Sequence, residues 1–179
     1  NTEIFFFFYS ELKDSFVDIL LEVKEKYGLN ITAVHPTMSL AESFMIFSAY
    51  ERRFTEALQK YRRYSEVAKR LGAKYIIMHG GKPNGVLNDE EYCQRYMALK
   101  AETRPNGVTV LQENVVNYRS GDIEFLRSMK EILGEREVVA EDLGYMTDTV
   151  RLLVKDSGFP TMKVLEFAFD DSKSNSHLP

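Results

Sequence analysis

A chain of 179 residues, 44% hydrophobic and 28% charged, suffices for one domain with a real core and is too short for two large ones. Its net charge of −4 argues against a nucleic-acid partner, and no apolar run approaches the length of a membrane span. A single cysteine, Cys93, excludes an internal disulfide and fits a reducing cytoplasm.

The apolar start "EIFFFFY" lacks the basic flank and cleavage site of a signal peptide and reads as a buried strand over 3–8. A helix follows over 11–27, capped by Ser10 and stopped by Gly28, with an apolar stripe at Leu12, Phe16, Ile19/Leu20, Val23 and Tyr27. "ITAVHP" forms the second strand, over 31–35. The next helix spans about 49–71, with Ser48 and Glu51 as a capping box, Gly72 as the stop, and Phe54, Leu58, Tyr61, Ala68 and Leu71 as its buried stripe. Arg52, Arg53, Lys60, Arg62, Arg63, Lys69 and Arg70 are interleaved with Glu51, Glu56 and Glu66, which predicts a solvated, ion-paired face.

"YIIMHGG" is the third strand, over 75–79. The glycine-rich "HGGKPNG" after it could bring backbone N–H groups to a phosphate, and Lys82 could meet an anionic substrate. It lacks the Walker spacing, and a simple turn is the favoured reading. Asn88 and Glu91 open the next helix, whose Cys93 reads as a structural thiol. "VTVLQEN" supplies a strand over 108–113, and Asp122 and Gly134 bound another helix. A strand over 138–141, a helix from Thr147 closed by Gly158 and Pro160, and a strand over 163–169 complete the pattern. His177 falls in a polar, solvated tail.

Strands and helices alternate throughout, which predicts an α/β fold with about six parallel strands covered by helices. No dinucleotide-type glycine loop follows the first strand, so a barrel is favoured over an open doubly wound sheet. A complete barrel needs at least about 200 residues. The expected architecture is therefore a partial or shortened (β/α) TIM-type barrel, a single domain over 1–179. Its open apolar edges predict self-association, or pairing of the first and last strands with each other.

Active sites of such barrels lie at the C-terminal ends of the strands. Four consecutive strands end there in His35, in His79, in Glu113, and in Glu141 with Asp142. Imidazoles and carboxylates converging on one rim suit a divalent metal such as Zn, Mn or Mg. The alternative for each is a polar group that merely caps the sheet.

"AVHPTMS", "SAYERRFTEALQKYRRYSEVAKRLGAKYIIMHGG" and "GVTVLQENVVNYRSGD" carry a resemblance to the xylose-isomerase-like barrels, over about 2–134. This is the sugar phosphate isomerase/epimerase group that includes endonuclease IV. The resemblance implies that Glu113 is a metal ligand and that His35 and His79 are ligands, as in the endonuclease branch. In isomerases the residue at His79 more often orients substrate. Asp142 fits the aspartate that ends the sixth strand, while Tyr145 stands where a histidine ligand belongs. The family's ligands from its last two strands have no counterpart.

From about 138 to 179, "VVAEDLGYMTDTVRLLVKDSGFPTMKVLEFAFDDSKSNSHLP" resembles amylomaltase, a 4-alpha-glucanotransferase. That resemblance makes Glu141 of "AEDLG" the general acid/base. The Arg-x-Asp motif carrying the nucleophile of that family is absent. The chain thus reads as recombined from two barrels, natural or engineered, joined near "LGEREVV".

Three functions follow as expectations. The first is a sugar phosphate isomerase/epimerase-like barrel with a residual divalent-metal site at His35, His79, Glu113 and Asp142, with Glu113 and Glu141 as catalytic carboxylates and a small sugar or sugar phosphate as substrate. The second is a non-enzymatic chimeric scaffold. The third is a 4-alpha-glucanotransferase fragment without its nucleophile.

Overall fold

A computed structural model describes residues 2–6, 9–36, 39–134 and 147–157. The chain divides into two compact units, residues 1–132 and 133–179. In the first, strands and helices alternate: β1 (Thr2–Phe6), α1 (Asp14–Tyr27), β2 (Ile31–Pro36), α2 (Ser39–Met45), α3 (Glu51–Leu71), β3 (Tyr75–Met78), α4 (Asp89–Thr103), β4 (Thr109–Gln112) and α5 (Ile123–Leu133), the last running to the boundary. In the second, α6 (Asp148–Ser157) starts after Thr147, whose carbonyl accepts the Arg151 N–H. The strands expected over 138–141 and 163–169, with Gly158, Pro160 and His177, lie outside the described residues.

All strand pairs are parallel, in the order β1-β2-β3-β4. The architecture is that of a partial TIM-type barrel, with four strands among the described residues. Register places Phe5 beside His35, Val34 beside Ile76, and Met78 beside Gln112. Val34, Ile76, Met78 and Val110 face the helices and are fully buried. Val67, Ala68 and Leu71 of α3 and Leu99 of α4 complete that core. Alternation puts His35 on the opposite, inner face. That face is incompletely covered, since Phe5 and Tyr75 remain largely exposed.

Several local expectations hold. Gly28 and Gly72 end their helices in the left-handed conformation, and Asn88 and Glu91 form a capping box. Asp122 accepts the backbone N–H groups of Glu124 and Phe125 at the start of α5. The basic face of α3 is ion-paired: Arg52 with Glu56, Arg62 with Glu102, Arg63 with Asp14 and Glu66, and Arg70 with Asp14 and Asp18.

Three expectations are corrected. Ser10 does not cap α1: a 3-10 turn over Tyr9–Leu12 intervenes, and Lys13 takes the cap position without a side-chain bond. Ser48 does not cap α3 either, because Tyr50 occupies that position and Ser48 Oγ accepts the Tyr50 N–H. The inner face of α1 is Val17, Leu20, Leu21 and Lys24, while Phe16, Ile19, Val23 and Tyr27 are exposed. Lys24 belongs to the covered face because its ammonium donates to the Leu71 carbonyl at 2.6 Å, satisfying an end group of α3.

Candidate metal centre

His35 is the penultimate residue of β2, while His79 and Glu113 immediately follow β3 and β4. The Glu113 N–H donates to the Met78 carbonyl at 2.8 Å, extending the ladder and bringing His79 and Glu113 side by side. His79 Nε2 lies 3.5 Å from Glu113 Oε2. The three residues each offer a ligand atom within 4.8 Å of the others. Glu141 and Asp142 lie outside the described residues.

Each imidazole is backed by a carboxylate. His35 Nε2 is 2.8 Å from Glu3 Oε2 on β1, and Phe5 stacks on the His35 ring at 4.2 Å between centroids. The hydrogen bond from His35 holds the Glu3 carboxyl below its ordinary range, against an opposing effect of partial burial. His79 Nδ1 lies 3.5 Å from Glu42 Oε2. Glu42, on α2, is almost wholly buried, and burial pushes its carboxyl upward although His79 and two backbone N–H groups favour the charged form.

Glu42 also explains the glycine-rich loop. Its Oε2 accepts the N–H groups of His79 at 2.8 Å and Gly80 at 3.0 Å, while Tyr61 donates its hydroxyl to Oε1 at 3.3 Å. The Gly81 N–H donates to Tyr92 Oη at 3.3 Å. The amides at 79–81 therefore serve protein acceptors rather than a bound phosphate. Opposite Glu42, Gln112 Nε2 donates to the Met78 and His79 carbonyls, and Ser43 Oγ donates to that of Gly80. Gly80 adopts φ +96°, and an added Cβ would lie 2.3 Å from Tyr92 Oη. Lys82, just beyond, is half-buried with Nζ 3.6 Å from the Tyr118 ring centroid. It makes no ion pair among the described residues. Tyr118 in turn lies 6.3 Å from the His79 ring.

Two donor atoms in this cluster, His35 Nδ1 and Glu113 Oε2, are buried without a hydrogen-bond partner among the described residues. Buried polar atoms are ordinarily satisfied, so a divalent cation between them fits the donor set in charge and in ligand type. An open cleft of about 660 Å³, lined by Asp89, Asn117, Tyr118, Arg119 and Phe125 among others, does not include the three donors. Its Arg119 is already paired with Asp89, so the triad is the better-built site. Cys93 is buried and its thiol is pushed up to about 11 by burial, in keeping with a structural role. The sequence reading missed Glu3, whose signal is an acid two residues from Phe5 on the same strand face. Glu42 had no such signal, since 37 residues separate it from His79.

Similarity to known proteins divides along the chain. A family model described as 4-alpha-glucanotransferase matches residues 105–179, beginning upstream of the join expected near residue 135 and taking in Glu113. The 4-alpha-glucanotransferase of Clostridium butyricum is 41% identical over 58 residues, which is 32% of this chain and 12% of that protein. The chain thus spans about an eighth of that relative's length. In three dimensions the chain is similar to a D-tagatose 3-epimerase-like protein, with a TM-score of 0.60 and 19% identity over 78% of this chain and 55% of the other. A xylose isomerase-like TIM barrel protein from Mycobacterium smegmatis, in complex with magnesium, superposes with a TM-score of 0.52 and 16% identity, covering 73% of this chain and 46% of the other. The chain is a composite: an epimerase-like barrel fold, with 4-alpha-glucanotransferase-like sequence in its C-terminal part.

Proposed function

We propose that the chain is a sugar isomerase/epimerase-like barrel with a divalent-metal site held by His35, His79 and Glu113. The observation that carries this reading is the meeting of three donors within 4.8 Å at adjacent strand ends. Support also comes from the epimerase-like fold and from the magnesium complex of a structural neighbour. A bound Mn, Zn or Mg ion would supply Lewis-acid polarisation of a substrate carbonyl or hydroxyl. The sequence offers Asp142 as a fourth ligand and Glu141 as the group that moves the proton, and both lie outside the described residues. The substrate is a small sugar or sugar phosphate in the cytoplasm. Lys82, without an ion pair among the described residues and resting on Tyr118 beside His79, is placed to hold its anionic group.

Calorimetric titration with Mn or Zn tests the site. Loose binding is expected, removed in Glu113→Ala and largely intact in Glu141→Ala. No heat with the parent, or equal affinity in Glu113→Ala, would leave the barrel as a scaffold only.

A second reading, 4-alpha-glucan transfer, is favoured by the family match over 105–179. It makes Glu141 a general acid/base. A retaining glycosyl transfer needs a second carboxylate about 5 Å away as nucleophile. The chain lacks the Arg-x-Asp motif that would supply it. Transfer activity on maltooligosaccharides, lost in Glu141→Gln, would favour this reading over the first.

A further inference from the structure

We infer that Glu3 and Glu42 are positioning residues that present the two imidazoles to the site through different nitrogens, His35 through Nδ1 and His79 through Nε2. The consequence for metal binding rests on the site proposed above. The placement of the carboxylates does not.

For His35 the geometry leaves one choice. Nε2 is 2.8 Å from a carboxylate oxygen that can only accept while Glu3 is ionised, so the proton sits on Nε2. The reverse tautomer would set a lone pair against a carboxylate and bury an unpaired Nδ1–H. Nδ1 is instead a buried acceptor without a hydrogen-bond partner among the described residues, and His35 is one of the three clustered donors.

His79 stands between two carboxylates, Glu42 Oε2 at Nδ1 and Glu113 Oε2 at Nε2, each at 3.5 Å. The two are not equivalent. Glu42 is tied to the His79 and Gly80 amides and to Tyr61, at the back of the loop. Glu113 Oε2 makes no hydrogen bond among the described residues and belongs to the donor cluster at the end of its own strand. A cation shared by Glu113 and His79 must take Nε2, leaving Nδ1–H to face Glu42. Such a carboxylate behind a ligating imidazole fixes ring orientation, and its loss ordinarily weakens metal binding about ten- to a hundredfold.

The test is nitrogen NMR of the ¹⁵N-histidine-labelled 179-residue chain, before and after addition of Zn, together with Zn titration of variants. Without metal, His35 is expected as the Nε2–H tautomer. With Zn, the coordinated nitrogens are expected to be Nδ1 of His35 and Nε2 of His79. Glu3→Ala and Glu42→Leu should each weaken Zn binding about ten- to a hundredfold. Glu42→Gln, whose amide oxygen can still accept the two N–H groups and the Nδ1 proton, should bind within a few-fold of the parent. A His35 Nδ1–H tautomer in the metal-free protein, coordination of both rings through the same nitrogen, or parent-like affinity in both Glu3→Ala and a folded Glu42→Leu would overturn the inference. Failure of the parent to bind Zn would refute the metal site itself, and the His35 tautomer would then decide whether Glu3 positions the ring. Should Glu42→Leu not fold, Glu3→Ala and the Zn-bound spectrum of the parent decide the matter.

Discussion

Tyr92 donates its hydroxyl to Gln112 Oε1 at 2.7 Å, tying α4 to β4 beneath the turn that carries His79. The same hydroxyl accepts the Gly81 N–H, and Gln112 uses its amide nitrogen on the carbonyls of Met78 and His79. Tyr92→Phe leaves the ring stack on Phe47 in place and strands a buried acceptor and a buried donor. A loss of about 1–3 kcal/mol is expected in urea denaturation. An unchanged midpoint would mean that Gln112 holds the turn alone.

Gly80→Ala should cost more than Tyr92→Phe. The backbone stands at φ +96°, and the new methyl group meets both Tyr92 and Gln112. Strain and overpacking together predict a loss of at least about 2 kcal/mol. Gly81→Ala meets its neighbours only at 3.1–3.3 Å and should be milder. Melting temperatures of the two variants give the ranking, and the reverse order would contradict it.

The parallel order, the helix stops and the strand-end polar residues were legible in the sequence because each depends on local pattern. Gly28, Gly72, Asn88 and Asp122 act within a few residues of themselves. The buried face of α1 was not legible, since Lys24 is drawn inward by a carbonyl 47 residues away. Glu42 was hidden for the same reason: its partners are the amides of another βα loop, and nothing in "LAESF" distinguishes it from a solvated acid.

The pH dependence of stability should register Glu42. Its folded carboxyl titrates above the ordinary value of 4.5. Between that value and the raised one, the folded state holds a proton that the unfolded state has released. Stability therefore falls as pH rises through this window and stays lowered above it. Glu42→Gln cannot titrate, so the parent-minus-variant difference in unfolding free energy should fall across the window and be flat on either side. A difference that rises with pH would reverse the sign.

Cys93 should be inert in the folded protein. Its thiol is buried and pushed up to about 11, so little thiolate exists near neutral pH. A chromogenic disulfide reagent should label it at the rate of global unfolding, accelerating in urea. Rapid labelling in native buffer would place the thiol at the surface.

His35, His79 and Glu113, with Glu3 and Glu42 behind them, all precede the boundary between the two compact units. The three proposed donors and the two carboxylates behind them therefore lie together in the first unit, although Glu113 also falls within the 4-alpha-glucanotransferase match over 105–179. On the site proposed above, exchange of the later segment would replace Glu141 and Asp142 while leaving His35, His79 and Glu113 as they are.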